Sequence, residues 1–131
     1  MTSTPTEKYA AFQPFIARNR VGGKWLKTAR TVPIVDPYRG TVVGRAPVTT
    51  LADLGAALDA ATAARAKFAA VPGYERAALL RRIAALIERD VTSLATLLTR
   101  ETGKAIRDSE GEIRRSLETF SLAAEEAIRI E

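Results

Sequence analysis

The feature that most constrains the fold is a sharp change in composition near residue 50. Five of the six prolines and four of the eight glycines lie in residues 1–50, whereas residues 51–131 are rich in alanine and leucine. Proline and glycine interrupt helices, while alanine and leucine favour them. The chain is therefore predicted to be mainly α-helical, with a short β-hairpin segment at residues 16–49 and four helices in residues 50–131. Residues 1–15 are predicted to form a flexible tail.

The hairpin is predicted from two extended segments that flank a strong turn. Residues 30–35 and 41–48 are rich in β-branched side chains, and the sequence DPYRG lies between them at residues 36–40. Aspartate opens such a turn, proline presets φ and glycine closes it. Pro33 has no N–H to donate, which favours an edge position for the first strand. A second tight turn is predicted at residues 22–23.

Boundary signals divide the second part of the chain into four helices. Thr50 and Asp53 fit a capping box at the start of the first helix. Asp90 is predicted to cap the third helix, and Gly103 is predicted to end it. Because apolar residues recur at helical spacing, the four helices are expected to share a small core. The predicted apolar stripe of the first helix consists of Leu51, Leu54, Leu58, Ala61 and Phe68.

The fourth helix carries no stop signal. Residues 123–131 contain no Gly, Asn or Pro, and their acidic residues are disfavoured near a helix C-terminus by the helix dipole. The apolar stripe still continues at Ile128 and Ile130. A terminal helix that frays is one interpretation, and a chain that ends in mid-helix within a longer fold is the favoured one.

Composition excludes several classes of site. The chain has no cysteine and no histidine, so disulfides, thiol nucleophiles, Ser-His-Asp triads and zinc sites built from Cys or His are ruled out. Neither G-x-G-x-x-G nor G-x-x-x-x-G-K-[ST] occurs, so no phosphate-binding loop is predicted. The acidic pairs Asp108/Glu112 and Glu125/Glu126 are interpreted as solvated charge on a helix surface.

Charge and hydropathy exclude further partners. The net charge is +5, but the basic residues are scattered, and no nucleic-acid-binding signature accompanies them. Nucleic-acid binding is therefore not expected. No secretory signal and no apolar stretch of about 18 residues is present, so no membrane association is predicted and the expected compartment is the cytoplasm.

Five short motifs occur in an order and spacing that carry a family resemblance. They are Trp25 after the Gly-Gly turn, DPYRG at residues 36–40, the Ala-rich stretch 54–68, ERAALL at residues 75–80 and ETGK at residues 101–104. Together they resemble the amino-terminal part of the NAD(P)-dependent aldehyde dehydrogenase superfamily, from about Ile16 to the last residue. The family usually has Asn where this chain has Asp36, a departure that still suits a turn.

Residues further along resemble one branch of that superfamily. Arg107-Asp108, Glu112 and the run at residues 122–127 are similar to enzymes acting on lactaldehyde, phosphonoacetaldehyde or glyceraldehyde phosphate. The resemblance implies an incomplete, amino-terminal segment of an α/β aldehyde dehydrogenase fold. Intact members oxidise aldehydes to carboxylic acids with NAD or NADP, using a cysteine nucleophile, a glutamate base and an oxyanion-hole asparagine.

None of those functional residues can be placed on this chain. It has no cysteine, its carboxylates match supporting helices, and Asn19, the only asparagine, lies before Trp25. No catalytic and no cofactor-binding residue is therefore predicted, no cofactor is expected to bind this chain alone, and the chain alone is predicted to be inactive. The expected partner is the remaining part of the enzyme or a homologous subunit. The alternative is a stand-alone helical interaction module that binds a homologue or a complementing half.

One metal site is implied by the resemblance. Glu101 lies near a helix C-terminus, where the dipole disfavours an anion. One explanation is an exposed, screened carboxylate assisted by Lys104. The other follows from the family, in which a structural monovalent cation is held between a carboxylate at this motif and main-chain oxygens of the early strand. Here those ligands are the Glu101 carboxylate and the carbonyl of Val35, and hard cations suit such oxygen donors.

Overall fold

The computed structural model describes residues 14–130, in which short strands precede four helices. Most of the predicted tail lies outside the described residues, and Phe15 belongs to the first strand. The strands are β1 (Phe15–Ile16), β2 (Arg20–Val21), β3 (Lys24–Trp25), β4 (Thr31–Val35) and β5 (Val42–Pro47). The helices are α1 (Leu51–Ala69), α2 (Gly73–Arg89), α3 (Val91–Thr102) and α4 (Ile106–Arg129).

The predicted hairpin is present as β4 and β5. The two strands pair antiparallel, with Pro33 opposite Arg45, and β4 is an edge strand as its proline requires. The other edge of β5 pairs in parallel with β1, which the sequence pattern did not indicate. The separate β2–β3 ribbon turns at Gly22 and Gly23, whose φ angles of 55° and 81° favour glycine.

Most of the predicted helix boundaries are confirmed. The Thr50 hydroxyl accepts from the Asp53 N–H at 3.1 Å, and the Asp53 carboxylate accepts from the Thr50 N–H at 3.1 Å, which completes the capping box. Gly103 follows α3 with φ of 76°. Asp90 is the N-cap residue of α3 as predicted, but its carboxylate makes no capping bond. It instead accepts two hydrogen bonds from the Arg89 guanidinium, at 2.8 and 2.7 Å, and such bidentate charged pairs are stronger than neutral bonds.

The core is formed by three helices rather than four. Helix α4 packs against both α2 and α3, and the small side chains Ala77, Ala124 and Ala127 are buried between α2 and α4 with Leu80 against them. Buried Ser109 accepts a 2.8 Å hydrogen bond from the Thr99 hydroxyl, which joins α4 to α3. The expected contribution of α1 is wrong: no residue of α1 is buried. The spacing of its apolar residues gives α1 an apolar side, but no other element of residues 14–130 buries that side.

Candidate functional site

The hairpin turn is organised around a buried carboxylate. Asp36 is only 1% exposed. Its Oδ1 atom accepts hydrogen bonds from the backbone N–H of Tyr38 at 2.9 Å and of Arg39 at 3.0 Å. Its Oδ2 atom accepts from Arg39 Nη1 at 3.1 Å and lies 3.5 Å from Arg100 Nη1 at the end of α3. Two backbone donors and two guanidinium groups therefore surround this one carboxylate.

These contacts determine the ionisation of Asp36. Burial alone raises its pKa, because an ionised carboxylate loses its hydration. The hydrogen bonds from the Arg39 and Tyr38 backbones, and the bond and positive charge of the Arg39 side chain, oppose this and together lower the pKa below its ordinary value. The carboxylate is consequently ionised at neutral pH, as a bridge between two arginines requires.

A second contact brings the turn and the end of α3 together. A Cβ built on Gly103 would lie 2.9 Å from Cγ of Pro37, closer than side chains approach one another. Gly103 also has a positive φ of 76°. Glycine at this position therefore permits both the left-handed end of α3 and the close passage of the DPYRG turn.

The predicted cation ligands lie on the two sides of this junction. Val35 directly precedes Asp36, and Glu101 directly follows Arg100, so each predicted ligand is the chain neighbour of one partner in the 3.5 Å contact of Asp36 with Arg100. Glu101 is half-buried. Within residues 14–130 no group of three or more acidic side chains could hold a metal. The Glu101 carboxylate and the Val35 carbonyl suit a hard cation in kind, but two oxygens are fewer than such an ion needs, and the site stays a prediction.

Lys104, the residue that could assist an exposed Glu101, pairs with a carboxylate on α4. Its Nζ atom lies 2.6 Å from Oε2 of Glu112 on α4. This hydrogen bond, with the charges of Lys104 and Arg115, holds the pKa of Glu112 below its ordinary value. Asp108 and Glu112 lie on the helix surface as predicted, with side chains 63% and 40% exposed. Each carboxylate also has a cation nearby, since Arg107 lies 3.7 Å from Asp108.

A shallow, predominantly basic cleft surrounds these groups at the start of α4. Three of its side chains are cations and two are carboxylates, which leaves one positive charge in excess. Within residues 14–130, Arg115 is exposed and makes no ion pair. Gly111 adds open space, since a Cβ at this position would meet nothing within 4 Å. The cleft is lined by Lys104, Arg107, Asp108, Gly111, Glu112 and Arg115.

Sequence reasoning missed the role of Arg100 and the burial of Asp36. The DPYRG pattern indicated the turn, and an aspartate before a turn proline commonly bonds the following backbone N–H groups. Nothing in the sequence linked Arg100, 64 positions later, to that carboxylate. The contact depends on the packing of α3 against β4.

The sequence of most of the chain matches one protein family. The sequence model of the aldehyde dehydrogenase family matches residues 25–131, which include the hairpin, the junction and all four helices. The chain belongs to the aldehyde dehydrogenase family. The expectation of a mainly helical segment of that fold, with a short hairpin, is confirmed.

Individual relatives agree with this assignment. The chain is 34% identical over 107 residues to malonate-semialdehyde dehydrogenase 1 of Bacillus licheniformis, a match that covers 80% of this chain and 22% of the relative. The crystal structure of aldehyde dehydrogenase 21 from Physcomitrella patens, in complex with the reaction product succinate, superposes with a TM-score of 0.85 at 32% identity. That match covers 93% of this chain and 25% of the moss enzyme.

A third similar protein is named for its cofactor. It is the NAD-dependent benzaldehyde dehydrogenase of Corynebacterium glutamicum, with a TM-score of 0.82 and 28% identity over 87% of this chain and 26% of that enzyme. The chain thus spans about a quarter of the solved enzymes and 22% of the Bacillus relative. No helix in residues 14–130 is long and apolar enough to cross a membrane.

Proposed function

We propose that this chain is the amino-terminal scaffold of an NAD(P)-dependent aldehyde dehydrogenase and contributes structure rather than chemistry to aldehyde oxidation. The observation that carries the proposal is the TM-score of 0.85 to a solved family member over 93% of the chain. The chain itself has no cysteine to act as nucleophile. The remaining part of the fold would bind NAD or NADP and supply the nucleophile, the base and the oxyanion hole. We place the assembled enzyme in the cytoplasm.

A chimeric enzyme tests the scaffold function. Residues 25–131 would replace the corresponding segment of the Bacillus malonate-semialdehyde dehydrogenase. We expect NAD(P)-dependent oxidation with kcat within about tenfold of the parent enzyme, since a change of about 1.4 kcal/mol at a supporting element corresponds to a tenfold rate effect. The isolated chain, assayed with NAD(P) and a panel of aldehydes, should show no turnover. A folded chimera without activity would contradict the proposal.

For the substrate, we propose an aldehyde that also carries an anionic group. The Bacillus relative is named for a semialdehyde of a dicarboxylic acid, and the moss enzyme was solved with the dicarboxylate succinate. The cleft at the start of α4 has an excess positive charge and an exposed Arg115. A guanidinium binds carboxylate or phosphate through paired hydrogen bonds. Phosphonoacetaldehyde and glyceraldehyde phosphate, from the branch that the sequence resembles, satisfy the same requirement, whereas lactaldehyde does not.

Neighbouring arginines provide a matched pair of variants for this substrate class. Arg115 lines the cleft and Arg114 does not, although both are exposed. In the chimera, Arg115→Ala should raise KM for malonate semialdehyde by up to about fivefold, because an exposed charge-assisted pair contributes on the order of 1 kcal/mol. It should leave a neutral aldehyde unaffected. Arg114→Ala should change neither value, and equal effects of the two variants would contradict the assignment.

The monovalent cation site is also a proposal. The Glu101 carboxylate and the Val35 carbonyl would supply two of its oxygen ligands, with others from the remaining part of the fold. In the chimera, potassium should raise the melting temperature relative to tetramethylammonium at equal ionic strength, and Glu101→Gln should abolish the difference. Glu125→Gln, an exposed carboxylate on α4, is the control. A potassium effect that survives Glu101→Gln would exclude Glu101 as a ligand.

A further inference from the structure

Helix α1 is long, but no other element of residues 14–130 buries any of its residues. It spans 19 residues, none of them buried. Helices in proteins owe most of their stability to tertiary packing of an apolar side rather than to intrinsic propensity. The large apolar side chains of α1 are instead exposed, with Leu51 at 87%, Leu54 at 49%, Leu58 at 61% and Phe68 at 58%. Exposed apolar surface of this kind commonly marks an interaction site.

The apolar stripe of α1 faces away from the rest of the chain. Helix α1 contacts β2, and Cβ of Ala60 lies 3.7 Å from the Cβ that Gly22 would carry. The Ala60 side is therefore the inner side. Leu58 is two residues earlier, about 200° around the helix axis. The outer stripe of α1 consists of Leu51, Leu54, Leu58, Ala61 and Phe68. Ala61 and Phe68 lie about 80–100° from Ala60, at the edge of the stripe, but all five side chains are exposed and are available to another polypeptide.

Charge on the outer stripe restricts what can cover it. Arg65 lies seven residues after Leu58 and three before Phe68, so it shares their side of the helix. Arg65 makes no ion pair within residues 14–130. Of the two acidic residues of α1, Asp53 bonds Thr50, and Asp59 lies about 120° around the helix axis from Arg65. A second copy of this chain would bring another Arg65 and no carboxylate into the contact. A complementary surface should be apolar and carry a carboxylate that faces Arg65.

We propose that the outer stripe of α1 is the docking surface for the remaining part of an aldehyde dehydrogenase fold, an inference that rests on the proposed function. The chain superposes on a solved enzyme with a TM-score of 0.85 but covers only 25% of it. Most of that enzyme therefore lies outside the matched region and can supply a large apolar surface. Ala61, in the middle of the stripe, allows the covering element to approach closely.

Two charge insertions on opposite sides of α1 test the docking surface. The full chain would be co-expressed with a tagged remainder of the Bacillus malonate-semialdehyde dehydrogenase, and the retained chain would be quantified after affinity capture. Leu58→Glu should reduce retention at least tenfold. Ala63→Glu, which places the same charge on the exposed opposite side, should leave retention unchanged. Circular dichroism of both isolated variants should match the unaltered chain, since neither position is buried.

Hydrogen exchange provides a second readout. Amides of α1 should exchange more slowly in the captured complex than in the isolated chain, and amides of the β2–β3 ribbon should change less. If α1 exchanges equally fast in both states, the docking surface is elsewhere and the proposal is overturned.

The other outcomes separate the two proposals. Equal retention of the unaltered chain and Leu58→Glu would overturn the docking surface but leave the scaffold function standing. Failure to retain the unaltered chain would overturn the scaffold function, and the docking surface with it. If the isolated chain forms a dimer that Leu58→Glu dissociates, a second copy of the chain occupies the outer stripe. If removal of residues 1–13 makes the amides of α1 exchange faster, that segment occupies the outer stripe. Either result would overturn the proposal.

Discussion

The Nη1 atom of Arg100 lies 3.5 Å from Oδ2 of Asp36, across the junction between the hairpin turn and the last turn of α3. The carboxylate is buried and the side chain of Arg100 is largely so, with 1% and 19% of their surfaces exposed. Their contact fixes the two segments that also meet through Pro37 and Gly103. Removing one partner of such a pair leaves the other charge poorly compensated, which is more damaging than loss of an exposed ion pair.

Loss of the Asp36 charge should therefore destabilise the chain. Asp36→Asn keeps the size of the side chain but leaves Arg39 and Arg100 without their shared anion, and the melting temperature should fall. Asp90→Asn disrupts an ion pair whose side chains are 68% and 42% exposed, and should lower it much less. Thermal unfolding followed by circular dichroism ranks the two variants, and an equal or reversed order would contradict the role assigned to Asp36.

The Asp36 carboxylate should also make the free energy of unfolding depend on pH. Because the folded-state pKa of Asp36 is lowered from 3.8, the folded chain binds fewer protons there than the unfolded chain. The contribution of Asp36 to the free energy of unfolding is therefore fully present above pH 3.8, and it is lost as the pH falls through the folded-state pKa. Urea unfolding at a series of pH values should show a shallower acid-side loss in Asp36→Asn. Asp53, Asp90 and Glu112 also have lowered pKa values, so part of the slope should remain.

Two glycines should respond in opposite directions to the same substitution. Gly103→Ala places a Cβ 2.9 Å from Pro37 Cγ at a φ of 76°, so it should cost at least about 1–2 kcal/mol of unfolding free energy. Gly55 lies inside α1, where a Cβ would meet nothing within 4 Å. Gly55→Ala should therefore stabilise the chain by about 0.5–1 kcal/mol. Denaturant unfolding of both variants measures the difference, and a neutral Gly103→Ala would show that the junction is loose.

The hydrogen bond between α3 and α4 should contribute measurably. Ser109 is fully buried and bonds the Thr99 hydroxyl at 2.8 Å. Ser109→Ala leaves that hydroxyl without its partner and should cost about 1 kcal/mol. Ser121→Ala, at an exposed position of the same helix, should stay within about 0.5 kcal/mol of the unaltered chain. If both substitutions had the same effect, the bond would not hold the helices together.

Local signals predicted local structure well. The capping box of Thr50 and Asp53, the turn at residues 36–40 and the end of α3 at Gly103 all involve residues within a few positions of one another, and all are confirmed. Asp90 occupies the predicted N-cap position, but its carboxylate bonds the neighbouring Arg89 instead of the first backbone N–H groups of α3. A local pattern indicates that a cap is available, but it does not rank the competing partners.

Contacts between distant segments were not predictable in the same way. The parallel pairing of β1 with β5 and the ion pair of Arg100 with Asp36 depend on how whole elements pack. The apolar stripe of α1 is a second example. The spacing of Leu54 and Leu58 predicts that one side of the helix is buried, but it does not predict which element buries it. The sequence motifs placed the chain in its family, and the basic cleft around Arg115 became visible only when α4 was positioned beside Lys104.

Two-chain complementation measures whether this chain acts as the amino-terminal scaffold of an aldehyde dehydrogenase. The full chain and the remainder of the Bacillus malonate-semialdehyde dehydrogenase would be produced together and separately, and NAD(P)H formation would be measured with malonate semialdehyde. Turnover is expected only when both polypeptides are present, and none with the chain alone. Turnover by the purified chain alone would contradict the scaffold function, as would a co-purifying but inactive pair whose covalent chimera is folded and also inactive.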